Sequence, residues 1–108
     1  MPPREWQLRV DDILEAIARI QRYVEGLTFE QFEADQKTID AVVRNLEIIG
    51  EAGRHLLADQ ENLPAAVPWA DIAAMQNILI HEYLGVDVNI IWQTILEDLP
   101  ALKAQLQR

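Results

Sequence analysis

The side chains best suited to chemistry crowd into one largely apolar stretch, Met75 to Asp87, which reads MQNILIHEYLGVD. The imidazole of His81 has an ordinary pKa near neutrality, so it can give or take a proton in general acid–base catalysis. Asn77 lies four residues earlier and, on a helix, one turn away on the same face. The two side chains are therefore within mutual reach, and the pair predicts a small polar site that can move a proton.

Two further residues of the stretch are candidates for the same site. Gln76 and His81 are five residues apart, about 140° around a helix, so one helix does not bring both side chains together cleanly. A site that uses both requires a distorted helix or a second copy of the helix across a two-fold interface. Tyr83 offers a phenol just beyond the expected helix end. The alternative interpretation is structural, with His81 capping the helix C-terminus and Tyr83 half-buried.

Helical periodicity predicts the elements that position these residues. We expect a first long helix that stops near Gly26, and a short helical segment opened by Thr28 and Gln31, which are spaced as a capping box. Asp35 is expected to cap a second long helix. The apolar stripes are Val10, Ile13, Ile17, Ile20, Val24 and Leu27 in the first long helix, and Ile39, Val42, Leu46, Ile49, Gly53 and Leu56 in the second.

The second half of the chain shows the same pattern. Residues 58–68, rich in loop-forming Asp, Asn and Pro, predict the one clear loop. A third long helix is expected from Trp69 to about Glu82, and Asp87 is expected to cap the next helix. Pro100 is then expected to interrupt that helix. Its apolar stripe is Val88, Ile91, Ile95 and Leu99, with Leu102 and Leu106 in a last turn or two.

These elements predict an all-α fold, an antiparallel four-helix bundle with short extra helical segments. A chain of 108 residues is large enough for one modest core, so residues 1–108 are expected to form a single domain. The three tryptophans are interpreted as core or interface anchors rather than a ligand cage: Trp6, Trp69 and Trp92.

Composition limits the class of function. The net charge is −9, so any nucleic-acid chemistry must rest on a small local site or on positive charge from other chains. The chain has no cysteine and no apolar run long enough to span a membrane. It also lacks the apolar core of a secretory signal, and the expected location is the cytoplasm.

A metal site is not expected. The sequence has no E-x-x-H pair of the kind that holds iron in helical bundles. His55 and His81 are not in metal-ligand spacing with each other. Glu51 and His55 are i, i+4 and are interpreted as a surface polar pair. No cofactor is expected either, since no glycine-rich phosphate loop is present.

Two blocks of the sequence resemble the HEPN superfamily, specifically its HepT-like toxin branch. They are NILIHEYLGVD, Asn77 to Asp87, and NLEIIGEA, Asn45 to Ala52, and the tail from Val88 to Leu102 also fits. The resemblance implies a helical bundle that forms a homodimer with a cleft at its interface. It also implies the toxin of a toxin–antitoxin pair, a metal-independent endoribonuclease that acts on RNA.

Position by position, the resemblance makes His81 the general acid/base and Asn77 the orienting residue. Tyr83 matches the tyrosine that a cognate minimal nucleotidyltransferase antitoxin adenylylates. The arginine of the family motif falls on Gln76, whose neutral amide cannot form a charged fork to phosphate. Arg44, on the second long helix, is the candidate replacement for that charge. The alternative function is a catalytically impaired HEPN dimer that acts in binding and assembly.

Overall fold

The computed structural model describes residues 4–58, 72 and 87–107, and the regular structure in these ranges is helical. Ile72, which stands within the expected third helix, is helical and buried. The all-α class is therefore confirmed. Ala58, the expected first residue of the loop, still belongs to the preceding helix. Residues 59–68 of the loop and the remainder of the third helix lie outside the described residues, so the four-helix bundle stays a prediction. The elements are α1 (Arg4–Val24), α2 (Phe29–Glu33), α3 (Gln36–Ala58), α4 (Val88–Gln93), a π-helical turn (Thr94–Asp98) and α5 (Leu99–Leu106).

The connection from α1 to α3 is built from the predicted local signals. Gly26 has a φ of 77°, a left-handed conformation that side chains other than glycine rarely adopt. Thr28 and Gln31 form the capping box, with the Gln31 amide 3.2 Å from Thr28 Oγ1 and the Thr28 amide 2.9 Å from Gln31 Oε1. Asp35 then caps α3, since its Oδ1 accepts the Thr38 backbone N–H at 3.2 Å.

The two long helices, α1 and α3, run antiparallel. A helix of 21 residues is about 31 Å long. The connecting residues 25–35 include the helical segment α2, so they are too short to return the chain to the start of α1. Packing of α1 on α3 buries both predicted stripes, apart from the half-buried Leu27. The larger members of this core are Ile13, Ile17, Ile20, Phe32, Val42, Leu46, Ile49, Leu56 and Leu99.

Aromatic packing joins the C-terminal helical segment to α2. The indole of Trp92 lies 5.0 Å from the buried ring of Phe32 and 6.1 Å from Phe29, measured between ring centroids. Trp6, near the start of the long helix α1, also packs against the core. The interpretation of these two tryptophans as anchors is confirmed, whereas Trp69 lies outside the described residues.

The C-terminal segment continues through Pro100, so the predicted interruption there is wrong. Proline has no N–H and its ring crowds the carbonyl four residues earlier, that of Leu96. The helix widens by one π turn just before this point, and the Leu99 N–H donates to the Thr94 carbonyl, five residues back. α5 then runs to Leu106, and Leu102 is buried in the core. None of the helices in the described ranges is long and apolar enough to cross a membrane.

Candidate functional site

The four motif residues singled out above lie outside the described residues: Gln76, Asn77, His81 and Tyr83. Their mutual geometry, and the interface between two copies of the chain, stay predictions. The structure does describe Asp87, which ends the motif stretch. Its Oδ1 accepts the Asn89 backbone N–H at 2.8 Å, so the predicted cap at the start of α4 is confirmed.

Arg44 is the candidate site residue that the structure describes. Its side chain is 71% exposed on α3, and Nη1 lies 3.7 Å from Glu47 Oε2. That distance is long for a charge-assisted hydrogen bond, which brings nitrogen and oxygen to about 2.7–2.9 Å. Glu47 therefore holds the guanidinium loosely and leaves its donors able to reach a ligand.

Arg44 lines an open cavity between the two long helices, which we term the α1–α3 groove. Its volume is about 320 Å³. The antiparallel register brings the first half of α1 beside the centre of α3, so residues far apart in sequence share one wall. The lining residues are Arg9, Asp12, Arg44, Glu47, Ile48, Glu51 and Ala52.

The charged groups of the α1–α3 groove are not equally engaged. Within the part of the chain that the structure describes, no carboxylate lies within 4.0 Å of the Arg9 guanidinium. In contrast, Glu51 Oε1 lies 2.7 Å from Arg54 Nη2 and 2.9 Å from His55 Nε2. The second of these contacts confirms that Glu51 and His55 form a surface pair. No cluster of three metal-ligating side chains occurs in the described ranges.

Asn45 carries an unsatisfied acceptor in the core. The residue is only 5% exposed, and its Nδ2 donates to the Ala41 carbonyl at 2.9 Å. Its Oδ1 is buried and has no hydrogen-bond partner within the described part of the chain. An acceptor desolvated in this way costs about 1–3 kcal/mol. The side chain stands one helical turn before Ile48 and two before Ala52, both of which line the α1–α3 groove.

Sequence reasoning singled out Arg44 but missed Arg9 and gave Asn45 no role. Asn45 could have been noticed, because its amide follows the apolar pair Val42 and Val43 and precedes Leu46. Arg9 carried no such signal. Its association with Arg44 depends on the register between α1 and α3. This register cannot be predicted from the sequence of either helix alone.

Comparison with known proteins gives a consistent family assignment for the chain. Residues 13–108 match the family model described as "Ribonuclease HepT-like". The chain is 43% identical over 99 residues to "Probable ribonuclease HepT" of Thermococcus cleftensis, a match that covers 92% of this chain and 90% of the relative.

Other relatives give the same result. A protein of Caldanaerobacter subterraneus subsp. tengcongensis, named as a candidate RNase, is 42% identical over 98 residues, which is 91% of this chain and 88% of the relative. A similarly named protein of Methanocaldococcus jannaschii is 33% identical over 107 residues, which is 99% of this chain and 98% of the relative. Among solved structures, none gives a significant match. From the family model and the extent of these matches, we conclude that the chain belongs to the HepT-like ribonuclease family.

Proposed function

We propose that this protein is a metal-independent endoribonuclease that serves as the toxin of a toxin–antitoxin pair. The observation that carries the proposal is the occurrence of Asn77, His81 and Tyr83 at motif spacing in a chain of the HepT-like ribonuclease family. The ribonuclease names of its relatives support RNA as the substrate. The cytoplasm, where RNA and an antitoxin are both present, is the proposed location.

The active site is proposed to be composite, with residues from two copies of the chain. Gln76 and His81 are about 140° apart on one helix, so a second copy across a two-fold axis is the simplest way to bring both into one cleft. A homodimer is therefore part of the proposal. In a two-fold dimer the same helix end of both copies meets at the interface, which is a common arrangement in homodimers.

The proposed reaction is an intramolecular transesterification of an RNA phosphodiester. His81 takes the proton of a 2′-hydroxyl, whose oxygen attacks the adjacent phosphorus. The bond from phosphorus to the 5′-oxygen breaks as the new bond forms. That oxygen takes a proton from water, and His81 afterwards returns the proton it accepted to the solvent. The products are a cyclic phosphate and a 5′-hydroxyl. Asn77 orients the phosphate through its carboxamide.

Gln76 weakens this site. The family motif carries arginine at this position, and the neutral amide of Gln76 cannot offset the negative charge that develops on phosphate. Loss of one such donor typically lowers the rate by about 10² to 10³. Arg44 is a candidate for the missing charge, since its guanidinium is exposed and loosely paired.

Tyr83 is the proposed point of control. A cognate minimal nucleotidyltransferase would join the phenolic oxygen to the α-phosphorus of ATP and release pyrophosphate. The attached AMP adds bulk and negative charge where RNA must bind. Intact mass after incubation with that antitoxin and ATP should rise by one or more AMP units. The same increase in Tyr83→Phe would exclude Tyr83 as the acceptor.

Cleavage of RNA in the presence of EDTA tests the proposed activity. We expect fragments from the unaltered chain and none from His81→Ala. His55→Ala is the matched control, because it removes the other histidine, an exposed residue paired with Glu51. Equal cleavage by the His81→Ala and unaltered proteins would refute the role of His81.

Gln76 also motivates the second candidate function, a dimer that retains binding and assembly but has lost catalysis. In that case the unaltered chain binds RNA or its antitoxin without cutting, and Gln76→Arg switches cleavage on. If the two proteins cleave at the same rate, the residue at this position does not decide activity.

A further inference from the structure

Extending the proposed ribonuclease function, on which this inference rests, we propose that the α1–α3 groove binds the phosphodiester backbone of single-stranded RNA. Arg9 and Arg44 are its phosphate-binding residues, one from each long helix. The groove would hold part of the RNA substrate, and its role is affinity rather than bond cleavage.

Two arginines from different helices line this groove, and among the described residues neither is closely paired with a carboxylate. Arg19 and Arg54 have carboxylate partners at 2.9 Å and 2.7 Å, so one nitrogen of each guanidinium is already engaged. Arg44 is held at 3.7 Å, and Arg9 has no carboxylate within 4.0 Å among the described residues. A guanidinium binds phosphate through paired N–H donors, and such charge-assisted bonds are about twice as strong as neutral ones.

The carboxylates that share the groove do not prevent this binding. Glu51 is engaged by Arg54, whose guanidinium offsets its charge, and also contacts His55. The groove is lined by two arginines and three carboxylates, and Arg54, which lies outside the lining, pairs with one of these carboxylates, Glu51, in a chain of net charge −9. RNA approaching this chain therefore meets less repulsion at the α1–α3 groove than the net charge implies.

The size and lining of the groove also suit a nucleotide unit. About 320 Å³ falls within the range of ligand pockets. Ile48 and Ala52 supply an apolar wall beside the charged groups, against which a ribose or base can pack. The groove is open, which a continuous strand needs.

Binding can be measured apart from cleavage with a fluorescent, 2′-O-methylated single-stranded RNA, because methylation removes the attacking hydroxyl. By fluorescence anisotropy, we expect Arg9→Gln and Arg44→Gln each to weaken binding about three- to tenfold. Each should also reduce the slope of log K against log salt by about 0.7, the value for one lost phosphate contact. Glu47→Gln should tighten binding, because it removes a competing carboxylate.

Matched controls separate the groove from general charge effects. Arg22→Gln removes an exposed arginine near the other end of α1, and Glu30→Gln removes an exposed carboxylate on α2. Both controls should change affinity by less than twofold. If the groove and control variants shift affinity equally, or if the unaltered chain does not bind the probe, the inference is overturned.

The remaining outcomes distinguish failure of the proposed RNA-binding groove from failure of the proposed ribonuclease function. Dependence of binding on Arg9 and Arg44, without any cleavage of unmethylated RNA, would retain the groove and refute the nuclease. Cleavage that requires His81, with binding indifferent to both arginines, would retain the nuclease and refute the groove. Native mass spectrometry adds a further check. If the arginine variants change only the oligomeric state or antitoxin binding, the groove is a protein contact and the RNA assignment is wrong.

Discussion

Trp92 lies against Phe32 with 5.0 Å between ring centroids, and this contact fixes the C-terminal helical segment on α2. Phe32 is fully buried, whereas Trp92 is half-buried and also meets the edge of Phe29. The helix that carries Trp92, α4, begins at Val88 and is capped by Asp87, the last residue of the motif stretch. The aromatic contact therefore anchors the element into which the proposed catalytic segment leads.

Trp92→Ala should lower the free energy of unfolding by about 2–3 kcal/mol, less than for a fully buried tryptophan because the indole is half-exposed. Urea denaturation followed by circular dichroism measures the change. Trp92→Phe is the control, since it retains a ring and should cost less. A loss below about 0.5 kcal/mol in the alanine variant would show that the contact does not anchor the segment.

Asn45→Leu should leave the free energy of unfolding unchanged or raise it by about 1 kcal/mol. The substitution removes a buried acceptor without a partner, Oδ1, and it sacrifices only the bond from Nδ2 to the Ala41 carbonyl. The same denaturation experiment applies, with Asn45→Ala as the comparison that leaves a small cavity. A decrease of more than about 1 kcal/mol for the leucine variant would mean that the amide is satisfied in solution.

The cap at Asp35 should make stability depend on acid pH. The Thr38 hydroxyl and backbone N–H both donate to this carboxylate, and they lower the pKa of Asp35 below its ordinary value. A carboxyl group with a lowered folded-state pKa stabilises the fold above its unfolded pKa, and the contribution is lost as pH falls through the folded value.

Urea midpoints of the unaltered chain and of Asp35→Asn test this dependence. Asparagine can still cap the helix but cannot ionise. The unaltered chain should be the more stable near neutral pH, and the difference should shrink as pH falls below about 4. A constant difference across that range would contradict a role for the ionised carboxylate.

Steady-state kinetics of Arg44→Gln separate the two roles considered for Arg44. If Arg44 binds RNA in the α1–α3 groove, KM should rise several-fold while the saturating rate is kept. A lower saturating rate with unchanged KM would instead assign Arg44 the transition-state charge that Gln76 lacks. Arg22→Gln serves as the control and should change neither parameter.

Much of the fold could be predicted from the sequence because its signals are local. The caps at Thr28, Asp35 and Asp87 depend on residues within one helical turn, and all three are confirmed. The apolar stripes of α1 and α3 likewise follow from spacing alone. Pro100 is the exception. Whether a helix ends before a proline or continues through a π turn depends on how much apolar surface the residues after the proline bury in the core. Leu102 is buried in the core beyond the turn, and the helix continues.

The candidate site was less predictable, for a physical reason. The motif residues are recognisable by spacing, but the α1–α3 groove exists only when Arg9 and Arg44 come together across two helices. The unsatisfied Oδ1 of Asn45 is likewise a property of packing. Features that arise from register between elements are not encoded in the periodicity of either element.

The most direct measurement is an end-group analysis of RNA fragments produced in the presence of EDTA. We predict that the unaltered chain yields fragments with a cyclic phosphate at one end and a 5′-hydroxyl at the other, and that His81→Ala yields none. Fragments bearing 5′-phosphates, or cleavage that appears only when a divalent metal is supplied, would contradict the proposed attack by the 2′-hydroxyl with His81 as the proton carrier.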